Sequence, residues 1–136
     1  MSSSLQKILN NINGDSAPVE LQELAGSSKA LVVSMLSKIS GQSSGKTVPV
    51  VVVCESFDIA EVFLHDIYYY FGREGVHFFP FWDVLPYDNF SPHKGLIAQR
   101  FQTLDALLNQ QARIMITTPN ALMQCFLPRN DFFKNT

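Results

Sequence analysis

Val48-Pro-Val-Val-Val-Val-Cys54 is β-branched almost throughout. A strand with that continuous apolar look is expected to be buried on both faces, inside a parallel sheet covered by helices. Pro49 is tolerable near its start, where a missing N–H does least harm. Downstream, Ser56 is placed to cap a helix whose apolar rows are Ile59, Phe63, Ile67, Phe71 and Ala60, Leu64, Tyr68, with Gly72 as its stop. Val76 to Phe79 reads as a second strand. Thr118-Pro119, like Ser91-Pro92 before it, sets a hydroxyl capping residue ahead of a proline at the first helical position, so each marks a helix start. The earlier of these helices shows Ile97, Phe101, Leu104 and Leu108 on one face. The strand Arg113 to Thr117 follows, then a last helix from Pro119 to about Leu127.

Upstream of the valines, Leu31, Val32, Met35, Leu36 and Ile39 mark a helix that begins after Gly26-Ser27-Ser28 and ends at Gly41. Val19 to Leu24 is weakly strand-like. Leu5, Ile8, Leu9 and Ile12 make a short amphipathic helix behind Ser4. The alternation of helix and strand predicts a three-layer α/β fold, a mainly parallel sheet flanked by helices. The expected organisation is an N-terminal helix over 1–15, one α/β domain over 16–128, and a C-terminal tail or linker over 129–136.

The chain of 136 residues, 46% hydrophobic, is one domain in size and can bury a core without disulfides or metal. Its formal net charge of -2 argues against binding nucleic acid by overall field. Cys54 and Cys125 read as reduced core thiols of a cytosolic protein. The longest apolar run is strand-sized and the start carries no signal-peptide core, so the expected location is the cytoplasm.

Gly41-Gln-Ser-Ser-Gly-Lys-Thr47 ends like a phosphate-binding P-loop, but only three residues separate its glycines and it runs from a helix into a strand. A working P-loop has four, follows a strand and opens a helix. The segment is therefore expected to be a connector. The position where an α/β nucleotide-binding domain carries its P-loop is Glu23-Leu-Ala-Gly-Ser-Ser-Lys-Ala30. With Lys29 as the phosphate lysine, Glu23 and Ser28 fall on the two required glycines and Ala30 on the hydroxyl that should hold magnesium. Each departure works against a triphosphate: a side chain at 28 obstructs the backbone's approach, Ala30 cannot ligate a metal, and Glu23 brings negative charge toward an anion. The segment is expected to be a degenerate P-loop, a plain helix start with a solvated Lys29.

Six of the sixteen aromatic residues fall between residues 78 and 90, with prolines at 80, 86 and 92. So apolar a loop folds back on its own domain or is covered by another. Core packing, an interdomain surface and single-strand stacking are all readings of it, the last without basic interleaving. His65, His77 and His93 lack metal-ligand spacing, and no catalytic group can be singled out.

Trp82-Asp-Val-Leu-Pro-Tyr-Asp-Asn-Phe-Ser-Pro-His93, followed by Arg100 and Leu104 and by Arg113-Ile-Met-Ile-Thr-Thr-Pro-Asn-Ala-Leu-Met-Gln124, resembles the amino-terminal region of the bacterial transcription-repair coupling factors (Mfd). The resemblance runs from about Val19 to Pro128. It implies a domain similar to the nucleotide-binding domain of the excision-repair subunit UvrB (domain 1a), with its ATP site decayed, and a non-catalytic scaffold role. It further implies a parent that is an ATP-dependent double-stranded DNA translocase, with ATP and magnesium used by its downstream motor and with RNA polymerase and UvrA as partners. None of those parts lies in these residues. By the same resemblance Trp82, Leu85, Tyr87, Asp88, Phe90, His93 and Arg100 are candidates for contacts with neighbouring domains. A surviving nucleotide-binding or NTPase domain, using Lys29 or Gly45-Lys46-Thr47, and a direct DNA-binding module remain the alternatives.

Overall fold

The computed structural model describes residues 18–40, 48–82 and 93–124. Among the described residues four helices and three strands alternate: α1 (Ser28–Ser40), β1 (Val50–Val53), α2 (Phe57–Tyr70), β2 (Val76–Phe79), α3 (Lys94–Leu108), β3 (Ile114–Thr117) and α4 (Pro119–Met123). The sheet is all parallel in the order β1-β3-β2. Val50 and Val76 both align with Ile114, and Val53 and Phe79 with Thr117. The chain moves two places across the sheet from β1 to β2 and one place back to β3. Right-handed crossovers then put the two connecting helices on opposite faces. The packing follows this: Ala30 of α1 and Ala60 and Ile67 of α2 meet Val52, Phe78, Ile114 and Ile116 on one face, while Leu104 and Leu107 of α3 and Ala121 of α4 meet Phe79 and Met115 on the other. The result is the three-layer α/β architecture that the alternation predicts.

β1 departs from expectation. Its valines alternate, Val50 and Val52 half-buried, Val51 and Val53 exposed. α3 and α4 reach β2 and β3 but leave β1, an edge strand among the described residues, bare on that side. The continuous valine run is thus buried on one face only.

Each helix shows which local signals set it. Ser56, in extended conformation, accepts a bond from the Ile59 N–H at 3.3 Å and caps α2. Gly72, at φ 98°, takes the left-handed turn that ends α2 after Phe71. α3 begins at Lys94 with His93 as its cap, the Nδ1 accepting from the Gly95 N–H at 3.2 Å. The start expected at Ser91-Pro92 lies outside the described residues. Thr118 caps α4 by position, but its buried hydroxyl makes no cap bond, so the helix start rests on Pro119 alone. α4 stops at Met123, short of the expected Leu127, because Gln124 turns extended at ψ 132°.

In two helices the apolar rows that mark the helix are not its most buried positions. α1 buries Ala30, Ser34 and Ser37, not the stripe Leu31, Val32, Met35, Leu36, Ile39, which is half-exposed. Small residues let α1 approach closely, and the hydroxyls of Ser34 and Ser37 find the carbonyls of Ala30 (2.8 Å) and Arg113 (3.3 Å). α3 buries Arg100, Thr103 and Ala106, with Leu104 and Leu107 beside them. Val19 to Leu24 forms no strand: Glu23 sits at φ 61°, which breaks an extended run, and the segment is mostly exposed. The N-terminal helix over 5–12, the Gly41 to Thr47 connector and the tail after Gln124 lie outside the described residues.

Candidate functional site

The bend entering α1 is where the degenerate P-loop was expected. Its geometry is closed. Ser28 turns both its N–H (3.2 Å) and its hydroxyl (2.6 Å) onto the carbonyl of Ala25. The amide that a phosphate oxygen would need is therefore already bonded inside the bend. Ser27 is tied to the Tyr70 hydroxyl of α2 at 3.0 Å, fixing the bend against that helix. Ala30, at the position the sequence reading matched to a P-loop's metal-holding hydroxyl, is fully buried in the core and carries only a methyl group. Glu23 and Gly26 both take left-handed φ, 61° and 54°, so the chain doubles back just before the helix.

Lys29 stays exposed beside this bend and lines a cleft of ≈ 300 Å³ between the start of α1 and α2. Ile59, Val62 and Phe63 line it together with the carboxylates of Asp58 and Asp66. Those carboxylates repel a phosphate. Lys29 also lies close enough to Cys54 to pull its thiol toward ionisation, but burial outweighs this and pushes the thiol pKa up. Among the described residues no group of three His, Cys, Asp or Glu is placed to hold a metal.

A second constellation anchors the start of the aromatic stretch. Arg100 is 0% exposed, with its guanidinium 4.1 Å from the Phe79 ring centre and 4.8 Å from that of Trp82. It donates to the Pro80 carbonyl at 2.6 Å and to Gln124 Oε1 at 3.3 Å. Gln124 in turn holds the backbone of Trp82, accepting from its N–H at 2.6 Å and donating to its carbonyl at 3.4 Å. One buried cation thus joins the end of β2, the middle of α3 and the end of α4. Burial lowers the arginine pKa from its usual value, yet the guanidinium stays protonated at neutral pH.

The structure brings together Trp82 and Arg100, and separately the residues at 28 to 30. His93 sits apart from both, exposed, as the α3 cap. Leu85, Tyr87, Asp88 and Phe90 lie outside the described residues, as do Gly45, Lys46 and Thr47. Sequence reasoning missed Gln124 as the partner of Trp82 and missed Asp58 and Asp66 beside Lys29. The i to i+8 separation of the two aspartates along one helix face was a signal available in the sequence. Gln124, forty-two residues from Trp82, left none.

No protein-family model matches the chain. The Transcription-repair-coupling factor of Escherichia coli (strain K12) is 34% identical over 110 residues, which is 81% of this chain and 9% of that protein. Its counterpart in Haemophilus influenzae is 34% identical over 93 residues, 68% of this chain and 8% of that protein. The Rickettsia typhi protein of the same name is 34% identical over 67 residues, 48% of this chain and 6% of that protein. The chain therefore spans less than a tenth of the length of these relatives. With three bacteria returning one protein name for an α/β unit of the expected architecture, the chain belongs to the transcription-repair-coupling factor family.

Proposed function

We propose that these residues form a non-catalytic scaffold domain at the amino terminus of a transcription-repair coupling factor, a UvrB-like domain whose ATP site has decayed and which positions other modules of its parent. The observation that carries this reading is the closed bend at Ala25 to Ala30. Ser28 spends its amide and hydroxyl on Ala25, and buried Ala30 supplies no oxygen for magnesium. Apolar surface on and just before β1 supports the scaffold role: Val51 and Val53 of the strand and Val48 ahead of it are exposed, an arrangement suited to being covered by a neighbour. On this reading the parent is an ATP-dependent DNA translocase of the cytoplasm. ATP and magnesium serve its motor elsewhere, and RNA polymerase, UvrA and double-stranded DNA are the parent's partners.

Calorimetric titration of the 136-residue chain with Mg-ATP tests the proposal. No binding heat is expected up to millimolar nucleotide. Micromolar binding that disappears in Lys29→Ala would return the domain to the nucleotide-binding class.

A further inference from the structure

α2 turns Ala60, Leu64 and Ile67 toward the sheet, and the opposite side of such a helix is ordinarily polar. Here Ile59 is 49%, Val62 65% and Tyr69 84% exposed. Their spacing of i, i+3 and i+10, with Asp66 at i+7, is the spacing of successive contacts along a seam between two helices. At 1.5 Å per residue the stripe runs about 15 Å, three turns of a partner helix. Ile59 and Val62 continue into the cleft beside Lys29, which adds depth for one larger apolar side chain.

Charge names the occupant. Glu55, Asp58 and Glu61 are exposed and Asp66 half-buried around this stripe, and among the described residues none of their four carboxylates takes part in an ion pair or hydrogen bond. Among the described residues Lys29 is the one cation in the cleft lining. A helix that put apolar side chains on the stripe would bring its flanking residues against these carboxylates, and Lys or Arg there would be attracted while Asp or Glu would be repelled. Nucleic acid and other phosphates meet the same repulsion.

We propose that the outward face of α2, with the cleft at the start of α1, docks a basic amphipathic helix of a partner protein, one with apolar residues at i, i+3 or i+4, and i+7 flanked by Lys or Arg. The proposal rests on the reading that this cleft takes no triphosphate.

The test is an amide chemical-shift titration of the 136-residue chain with a synthetic 18-residue helical peptide carrying Leu at those positions and Lys at the flanks. A second peptide with every Lys replaced by Glu is the control, and Mg-ATP is a third arm. Shifts confined to residues 26–29 and 55–70, with no shift from the Glu peptide, are the expected result. Val62→Glu, and separately Asp58→Lys with Asp66→Lys, should each weaken binding at least tenfold while circular dichroism stays unchanged. Equal binding of the two peptides, no binding of the Lys peptide, or shifts centred on Val51 and Val53 would overturn the proposal. So would concentration-dependent self-association abolished by Val62→Glu, which would assign the face to a second copy of this chain. Mg-ATP shifting residues 26–29 would sink the non-catalytic reading as well, whereas silence from both Mg-ATP and the Lys peptide would sink this inference alone.

Discussion

A guanidinium with no exposed surface, stacked between Phe79 and Trp82 and bonded to the Pro80 carbonyl, can be replaced only at a loss. Arg100→Ala removes two desolvated cation–π contacts and leaves a carbonyl without its donor, and should lower stability by about 3 kcal/mol in urea unfolding. Arg100→Lys keeps the charge but not the flat fork, and should recover only part of that loss. Trp82 is half-buried on the same cation, so Trp82→Ala should cost about 2 kcal/mol. None of this was legible in the helical spacing of Ile97, Phe101, Leu104 and Leu108, because an arginine on a helix is ordinarily assigned to solvent. Only the resemblance singled out Arg100, and it did so as a contact between domains. A second residue-scale expectation concerns His77, whose pKa burial pushes below its ordinary value. The folded chain favours the neutral ring, so the unfolded chain takes up the proton first as pH falls. Stability is therefore full above the unfolded pKa of about 6.5 and declines on acidification through the window beneath it. His77→Gln should flatten that part of the stability profile measured between pH 7 and 5.

At the scale of elements, β2 is the case the sequence specified best: Val76 to Phe79 is the strand expected, residue for residue. Turn chemistry guards its start. Gly75 has φ 72°, and a Cβ there would lie 2.8 Å from Arg113 Cγ and 3.2 Å from the Gln111 carbonyl. Both Arg113 and Ile114 donate their N–H groups to the Gly75 carbonyl, at 2.8 and 3.1 Å, so the turn also sets the register of β3. Gly75→Ala should thus destabilise the chain by more than about 1 kcal/mol, read as a lowered thermal midpoint. The helix rows were less legible than the strands. α1 and α3 exist where apolar periodicity places them, yet their buried positions are Ala30, Ser34 and Ser37 in one and Arg100, Thr103 and Ala106 in the other. Periodicity weighs hydrophobicity, whereas the sheet surface selects residues small enough for close approach or able to satisfy a carbonyl. Thr103 does the latter, donating to the Phe78 carbonyl at 3.0 Å. β1 misled in the opposite sense, since an unbroken valine run cannot say whether the second helix layer extends over it.

For the whole molecule, the parallel sheet and its two layers followed from the order of elements, and the family from one string of residues. What neither disclosed is how the start of α1 is closed: Ser28 bonds back to the Ala25 carbonyl within the bend, and the hydrogen bond between the Ser27 and Tyr70 hydroxyls depends on where α2 sits. Cys54 lies under a layer of apolar neighbours with its thiol pKa raised. In a Cys125→Ser background, Cys54 should react with a thiol reagent at neutral pH only after unfolding, with a rate that jumps at the urea midpoint. On the function proposed above, this domain keeps the α/β shape of a nucleotide-binding domain without a nucleotide site. The most direct test of this is a crystal of the chain soaked in magnesium and a non-hydrolysable ATP analogue. The account predicts an unchanged bend, with Ser28 still on the Ala25 carbonyl and no phosphate density beside Lys29. Ordered phosphates wrapped by the backbone of residues 25–30 would contradict it.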